Sequence, residues 1–328
     1  MLARFVLRSL VAFLLTGALA ATPAAAQSSD LTSFSFLRLE PSARAAALGG
    51  SFNAIRDGDV NGLLYNPASL SEQAHNALSV SYMNHLSDLN AGFAAFGRHV
   101  EGVGSFGAGL RFLSYGTIDG RSANDVDQPD FGASDAALTL GYAREAANER
   151  LRYGGSAHLI YSHIAEAEAV AAAADLGAMY SFPSQQLTFS ASLHNVGTTF
   201  SSLGPSRDEL PVDLRVGLSK KLAHLPLLLS VTGYNLQNVG AAHQGTGAFD
   251  NAMRHVRVGG EFQFSEAFQA RIGYNHMRHE ELKTQDRLDP AGFSFGFGLA
   301  VSRIALDYAY NSWSSFGRLH QLTVRTSF

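Results

Sequence analysis

The chain has 328 residues, of which 46% are hydrophobic and 16% are charged, and its formal net charge is −4. The charged fraction is below the roughly 25% of a typical soluble domain. No stretch after residue 26 reaches the roughly 18 uninterrupted apolar residues of a membrane-spanning helix, so the chain is not a helical membrane protein either. The absence of cysteine excludes a disulfide scaffold, thiolate zinc sites and thiol catalysis. Two classes of protein remain, a large soluble β protein and an outer-membrane barrel, and the mild acidity argues against nucleic-acid binding.

The first 26 residues have the pattern of a secretory signal peptide. Arg4 and Arg8 precede an apolar segment at 9–20, and the alanines at 24–26 supply the small residues of a cleavage site. An uncleaved membrane anchor is the alternative, but the apolar segment is short and no stop-transfer charges follow it. We therefore expect cleavage before Gln27 and export of the mature chain from the cytoplasm.

After residue 76 the sequence becomes a series of segments of about ten residues in which apolar and polar side chains alternate. Such lengths suit tilted β-strands that cross a bilayer, and an even strand number is typical of bacterial barrels. The predicted strands are 77–83, 90–99, 103–114, 135–145, 152–163, 170–182, 186–195, 212–222, 226–236, 254–264, 267–276, 291–299, 303–311 and 319–328.

The lengths of the connections support a barrel. Strands 2, 4, 6, 8, 10 and 12 are each followed by a short turn, whereas the long polar connections all follow odd-numbered strands. In a barrel these two kinds of connection lie at opposite ends, which we call the turn end and the loop end. The long connections are expected at 115–134, 196–211, 237–253 and 277–290. Outer-membrane barrels have short periplasmic turns and longer external loops. The sequence therefore predicts an all-β fold, a 14-stranded antiparallel transmembrane β-barrel in contact with outer-membrane lipid.

The charged residues of the strands share one face. A charged side chain that faces lipid near the middle of the membrane costs roughly 2–4 kcal/mol, so we expect these residues to face the lumen. They could solvate the inner wall or pair with one another, which is the simpler interpretation, or they could bind a plug or a ligand. The set comprises Arg111, Arg215, Arg257, Glu261, Arg271, Asp307 and Arg325.

Residues 27–76 do not form a strand pair and are expected to fill the lumen, because a 14-stranded barrel is too wide for its own side chains to fill. A short helix is predicted at 41–48, with Pro41 near its start and glycines at 49 and 50 ending it. The domains are thus a signal peptide (1–26), an N-terminal plug (27–76) and a barrel (77–328). We expect Arg44, together with Arg38 and Arg56, to bind Glu261 or Asp307.

Two plug motifs resemble a known family. The segment 36–50 (FLRLEPSARAAALGG) contains Pro41, Ser42, Arg44, Gly49 and Gly50, and the segment 65–70 (YNPASL) contains Asn66 and Pro67. Both resemble the PorQ/PorV family, which is related to FadL-like barrels with plugs, and the length and the Pro-Ser-Ala-Arg form are closer to its PorQ members.

The resemblance implies an outer-membrane component of the type IX protein secretion system that anchors a surface partner of the attachment complex, PorZ-like or PorU-like. Two alternatives remain open, a PorV-like cargo shuttle and a FadL-like transporter of hydrophobic small molecules. The terminal Phe328 on an alternating last strand resembles the assembly signal that the barrel assembly machinery recognises in outer-membrane barrels.

No motif indicates catalysis. The G-x-G-x-x-G at 102–107 precedes an alternating strand instead of a helix, and the G-x-S-x-G and S-x-x-K motifs are absent. His276 and His279 form an H-x-x-H beside Glu280 and Glu281, but this segment is expected in a solvated loop and lacks the H-E-x-x-H spacing of metalloproteases. The sequence therefore predicts a protein that is not an enzyme and has no cofactor or metal ion.

Overall fold

The chain from the plug onwards folds as a closed antiparallel β-barrel of 14 strands, which confirms the predicted fold class. The computed structural model describes residues 34–84, 89–121, 127–240, 247–284, 289–313 and 317–328. The predicted signal peptide and residues 27–33 lie outside the described residues. Among the described residues, no helix has the length and apolar character needed to cross a membrane.

Each strand pairs with its neighbours in the sequence, and β1 pairs with β14, so the sheet has no free edge. Closure satisfies the backbone hydrogen bonds of every strand, as a bilayer requires. The strands are β1 (Ala77–Asn84), β2 (Asn90–Val100), β3 (Gly104–Arg121), β4 (Asp127–Glu145), β5 (Leu151–Ile164), β6 (Ala167–Phe182), β7 (Leu187–Ser201), β8 (Asp213–Lys221), β9 (Leu227–Gly233), β10 (Val256–Gln263), β11 (Phe268–Asn275), β12 (Phe293–Val301), β13 (Ile304–Ser312) and β14 (Arg318–Ser327).

The side chains alternate between the two faces of the barrel wall as the period-two pattern predicts. On β8, Leu214 and Val216 lie on the outer face with 38% and 44% of their surface exposed, whereas Ser219 is buried on the inner face. On β12, Phe293 and Phe295 point outward and Ser294 is buried inside. The outer face is therefore apolar, as expected for contact with lipid.

The loop end differs from the prediction at three hairpins. The expected loop at 115–134 is mostly sheet, because β3 and β4 run on to Arg121 and Asp127 with a β-bulge after Ser114. Strand β7 likewise continues to Ser201, and only residues 165 and 166 connect β5 to β6. The backbone hydrogen bonds between strands do not depend on side-chain polarity. Polar segments can therefore continue these strands where the composition predicts loops.

Two short helices occupy loops at the same end. Helix α2 (Ala248–Met253) lies between β9 and β10, and helix α3 (His276–Leu282) follows β11 directly. The side-chain oxygen of Asn275 caps α3 by accepting the backbone N–H of Arg278 at 3.1 Å. The H-x-x-H segment is thus helical, and the prediction of an irregular loop there is wrong because this cap starts a helix.

The described part of the plug, residues 34–76, lies inside the barrel. Its helix α1 (Ala43–Ala47) is shorter than predicted, because Ser42 caps it and Pro41 precedes the cap. Short 3₁₀ helices fill the rest of the segment, at Ser35–Arg38, Val60–Leu64, Pro67–Ser69 and Glu72–Ala74. Asn66 caps the third of these by accepting the N–H of Ala68 at 3.0 Å, and Pro67 is its first residue.

Glycines in the wall allow the plug backbone to approach closely. Gly49 ends α1 with a φ of +67°, and a Cβ atom on Gly273 of β11 would collide with the backbone nitrogen of Gly49. Elsewhere in the wall, a Cβ on Gly177 of β6 would collide with the side-chain oxygen of Asn66. Both plug motifs therefore pack directly against the backbone of the wall, which fixes the position of the plug.

Candidate functional site

A ring of six alternating charges joins the plug to the barrel wall. The plug contributes Arg44 and Asp59, and four strands contribute the other members. We call this set the charge ring; it comprises Arg44, Asp59, Glu261, Arg271, Asp307 and Arg325.

Every neighbouring pair in the charge ring is in ion-pair contact. Arg44 binds Glu261 through two hydrogen bonds of 2.8 Å, and Glu261 accepts a bond of 2.6 Å from Arg271. Arg271 and Arg325 bind the two oxygens of Asp307 at 2.6 and 2.8 Å. The ring closes at Asp59, because one of its oxygens lies 3.3 Å from both Arg325 and Arg44.

The charge ring is stable only as a unit, because a buried charge without a partner carries a large desolvation cost. Arg44 and Asp59 are both buried, and Asp57 adds a further contact to Arg44 at 2.6 Å. Burial raises the pKa of Asp59, but Arg325, Arg44 and the hydrogen bonds from Asn61 together hold that pKa below its usual range. Asp59 is therefore ionised at neutral pH, and the plug is held by charge-assisted bonds.

A second group of arginines holds the plug nearer the loop end. Arg111 donates to the backbone carbonyl oxygens of Leu37 and Leu64 at 2.6 and 2.8 Å. Arg257 binds Glu40 at 2.8 Å, and its guanidinium carbon lies 3.8 Å from the ring centre of Tyr234. Carbonyl and carboxylate groups of the plug thus meet cations of the wall at two heights in the barrel.

The structure places all seven predicted lumenal charges on the inner face. Four of them contact the plug directly, and two complete the charge ring. Arg215 instead binds Asp213 of its own strand at 2.7 Å. Of the other predicted plug cations, Arg56 pairs with Glu145 and donates to Ser181 at 2.7 Å, and Arg38 lines a cavity.

The last residue of the chain lies at the turn end. The backbone N–H of Phe328 donates to the carbonyl oxygen of Asn76 at 3.2 Å, and 72% of the residue is exposed. An exposed terminal aromatic is accessible to another protein. Its role as an assembly signal stays a prediction.

A buried histidine network was missed by the sequence analysis. Asp175 on β6 binds His158 on β5 at 3.0 Å and His194 on β7 at 2.9 Å. The other ring nitrogen of His194 lies 2.8 Å from the hydroxyl of Ser192, which donates to Asn53 of the plug at 2.8 Å. Neighbouring strands bring these residues together, and no spacing within the sequence indicates it.

The hydrogen-bonded series Ser192–His194–Asp175 has the same residue types, in the same order of contact, as a nucleophilic triad. A nucleophile must reach its substrate, whereas Ser192 is buried beneath the plug and lines neither of the cavities on the two sides of the plug. Its hydroxyl is also engaged by Asn53. The network therefore acts as a structural contact between the wall and the plug.

Two cavities flank the plug. The loop-side cavity has a volume of about 240 Å³ and is lined by apolar and aromatic side chains, by four arginines, and by further polar groups that include Glu40, Asp213 and Glu281. The turn-side cavity has a volume of about 440 Å³ and has a polar lining, including members of the charge ring. The loop-side lining includes Arg38, Leu39, Met83, Arg215, Tyr234, Arg257, Met277, Arg278, Leu282, Trp313 and Leu319.

The fold is similar to that of solved outer-membrane channels. The toluene transporter TodX of Pseudomonas putida matches with a TM-score of 0.55 at 14% identity, covering 88% of this chain and 96% of TodX. A FadL homologue of Pseudomonas aeruginosa matches with a TM-score of 0.54 at 10% identity, covering 88% of this chain and 98% of its own. The monoaromatic hydrocarbon channel CymD gives a TM-score of 0.51 at 11% identity, with coverages of 87% and 96%.

These similarities show that the chain has the fold of FadL-type outer-membrane barrels. No protein-family model matches the chain, and no curated protein sequence does. The FadL-like part of the resemblance is therefore supported, whereas the PorQ/PorV identity and a role in type IX secretion find no support in these similarities.

Proposed function

We propose that the protein is a plugged outer-membrane channel for small, mainly apolar molecules, which bind in the loop-side cavity and pass when the plug moves. The observation that carries this proposal is the group of apolar and aromatic side chains that lines part of that cavity directly against the plug. Ligand pockets are concave and mostly apolar, with a few placed polar groups. No catalytic step is part of the proposal.

The size of the loop-side cavity favours a ligand with a single aromatic ring. An apolar cavity of about 150 Å³ is large enough to bind benzene, and the loop-side cavity has a volume of about 240 Å³. TodX is described as a toluene transporter and CymD as a monoaromatic hydrocarbon channel. Tyr234 and Trp313 supply aromatic surface, and Arg278 can bind a carboxylate substituent.

The plug would act as the gate. It separates the loop-side cavity from the turn-side cavity, and the charge ring and Arg111 hold it in place. A ligand that enters from the loop end therefore reaches the turn end only when these contacts open. Such a gate lets a small molecule pass while the resting barrel stays closed to ions.

The single tryptophan of the chain gives a direct binding assay. Trp313 lines the loop-side cavity, so toluene and benzoate should change its fluorescence in a saturable way, whereas glucose should not. Arg278→Gln should weaken benzoate binding by a factor of about 10 to 100, because a charged hydrogen bond contributes about 1.5–3 kcal/mol, and should leave toluene binding unchanged. Arg303→Gln in an exposed turn is the matched control. Absence of any saturable change would contradict the proposal.

A surface partner protein stays a second proposal. The observation that favours it is Phe249 on α2, which is 80% exposed at the loop end. We propose that the loop end binds a partner of the PorZ or PorU kind through this residue. A pull-down from detergent-solubilised outer membranes should recover such a protein with the natural chain and lose it with Phe249→Ser. Recovery of the barrel alone would count against this second proposal.

We infer that the signal peptide is removed before Gln27, that the barrel assembly machinery recognises Phe328, and that the mature chain resides in the outer membrane. Deletion of Phe328 should lower the amount of folded barrel in outer-membrane fractions. An unchanged amount would remove the assembly role of this residue.

A further inference from the structure

Two loops at the loop end bring together three side chains that can bind a metal ion. Asp250 lies on α2, and His276 and Glu280 lie four residues apart on α3, so both of these point from one face of that helix. One ligand atom from each of the three residues lies within 4.8 Å of the others. This cluster is separate from the charge ring and from the histidine network.

The imidazole of His276 is already oriented for a ligand. Its Nε2 atom lies 2.9 Å from a carboxylate oxygen of Asp250, and its Nδ1 atom lies 3.0 Å from the hydroxyl of Tyr274. Metal-binding histidines almost always have their second ring nitrogen hydrogen-bonded, which fixes the ring. Tyr274 provides that contact here, and it belongs to the rigid wall at the end of β11.

We propose that Asp250, His276 and Glu280 bind a divalent transition-metal ion, with Zn²⁺ as the best match. One imidazole nitrogen and two carboxylate oxygens form a three-ligand set that leaves a fourth, tetrahedral position for water. Ca²⁺ takes six to eight oxygen ligands, so the imidazole and the small ligand number disfavour it. This inference is independent of the molecule that the channel transports.

Two basic side chains compete with the metal ion. Lys283 binds Glu280 at 2.7 Å, and Arg254 lies 3.5 Å from Glu280 and 3.6 Å from Asp250. Lys283 is half-exposed and can move into solvent, whereas Arg254 is mostly buried. Glu280 therefore binds either Lys283 or the metal ion, but not both at once. Removal of the ammonium group of Lys283 should strengthen metal binding.

Metal binding would connect the two loops. Helix α2 belongs to the connection between β9 and β10, and α3 belongs to the connection between β11 and β12. Other side chains of α3, including Met277 and Arg278, line the loop-side cavity. A bound ion would hold α3 in place and so fix one wall of that cavity.

The test is a Zn²⁺ titration of the full chain, purified in detergent, by isothermal titration calorimetry. The natural protein should bind one Zn²⁺ per chain. Asp250→Asn and His276→Asn should each weaken binding by at least about tenfold, and Lys283→Gln should strengthen it. His279→Asn is the matched control on the same helix, because its Nδ1 lies 2.9 Å from the carbonyl oxygen of Ala291 and it is not in the cluster.

Several results would overturn the assignment. One is the absence of any heat of Zn²⁺ binding with the natural chain. The others are an equal loss of Zn²⁺ affinity in His279→Asn and His276→Asn, and Ca²⁺ binding that is as strong as Zn²⁺ binding. Each variant is first checked for the heat-dependent shift in electrophoretic migration that folded barrels give. Because Asp250 and His276 lie on different elements, equal weakening in both variants with folded protein supports a shared ion.

Discussion

Charge reversal at Arg44 is the strongest perturbation of the plug that the structure offers. Arg44→Glu removes the contacts to Glu261, Asp57 and Asp59 and places a fourth carboxylate among them. These groups are buried or partly buried, so water screens the repulsion poorly. The substitution leaves the inner and outer faces of the barrel wall unchanged, so its effect should fall on the plug.

The size of the effect follows from the burial. Removal of one partner of a buried ion pair costs about 3–5 kcal/mol, and about 1.4 kcal/mol corresponds to a tenfold change in an equilibrium constant. The population with a displaced plug should therefore rise by a factor of about 100 or more. Contact of Arg271 with Glu261 and Asp307 remains, so the barrel itself should still fold.

The assay is single-channel conductance in planar lipid bilayers. Arg44→Glu should give frequent open events where the natural chain is mostly closed, and the double variant Arg44→Glu with Glu261→Arg should recover part of the closure. Arg303→Glu, in an exposed turn, makes the same change in net charge and should behave like the natural chain. Equal conductance of Arg44→Glu and Arg303→Glu, with both barrels folded, would refute the role of the charge ring.

Three further predictions concern the plug and its contacts. Because the pKa of Asp59 is lowered in the folded state, its ionised form stabilises the plugged state above its ordinary pKa of about 4. Conductance should be constant from pH 7 to 5 and rise as the pH falls below about 4, and Asp59→Asn should reduce this dependence without abolishing it, because Glu261 and Asp57 also bind Arg44. Gly273→Ala should destabilise the folded barrel by about 1–3 kcal/mol through overpacking against the plug backbone, measured by thermal unfolding, whereas Gly92→Ala, which has open space at its Cβ, should not. Asp175→Asn should lower the free energy of unfolding by about 1–3 kcal/mol, because it leaves buried histidines poorly paired. The exposed Glu168→Gln should change that free energy by no more than about 0.5 kcal/mol. A larger loss for Glu168→Gln than for Asp175→Asn would contradict the histidine network.

The barrel could be predicted because its evidence is local. Alternation such as that of Phe293, Ser294 and Phe295 shows which face meets lipid, and the same argument places Arg271 and Asp307 in the lumen. The extended β3 and β4 could not be predicted, because a polar segment can form backbone ladders as readily as an apolar one.

The candidate site depends on contacts between residues that are distant in the sequence. Arg44 and Glu261 are 217 positions apart, so a contact between them could be proposed but not the closed ring of six charges. The histidine network and the cluster around His276 each depend on strand register or on helices in loops. The shape of the loop-side cavity depends on the position of the plug in the lumen, and no pattern in the sequence specifies that position.

The most direct test of the account is to lock the plug to the wall. The hydroxyls of Ser51 in the plug and Thr232 on β9 lie 3.2 Å apart, and the chain has no cysteine, so the intended disulfide is the only one that Ser51→Cys with Thr232→Cys can form within a chain. Uptake of labelled toluene and benzoate is measured in whole cells that carry this barrel. We expect uptake to fall on oxidation and to recover with a reductant. Unchanged uptake with a fully formed disulfide would contradict passage gated by the plug.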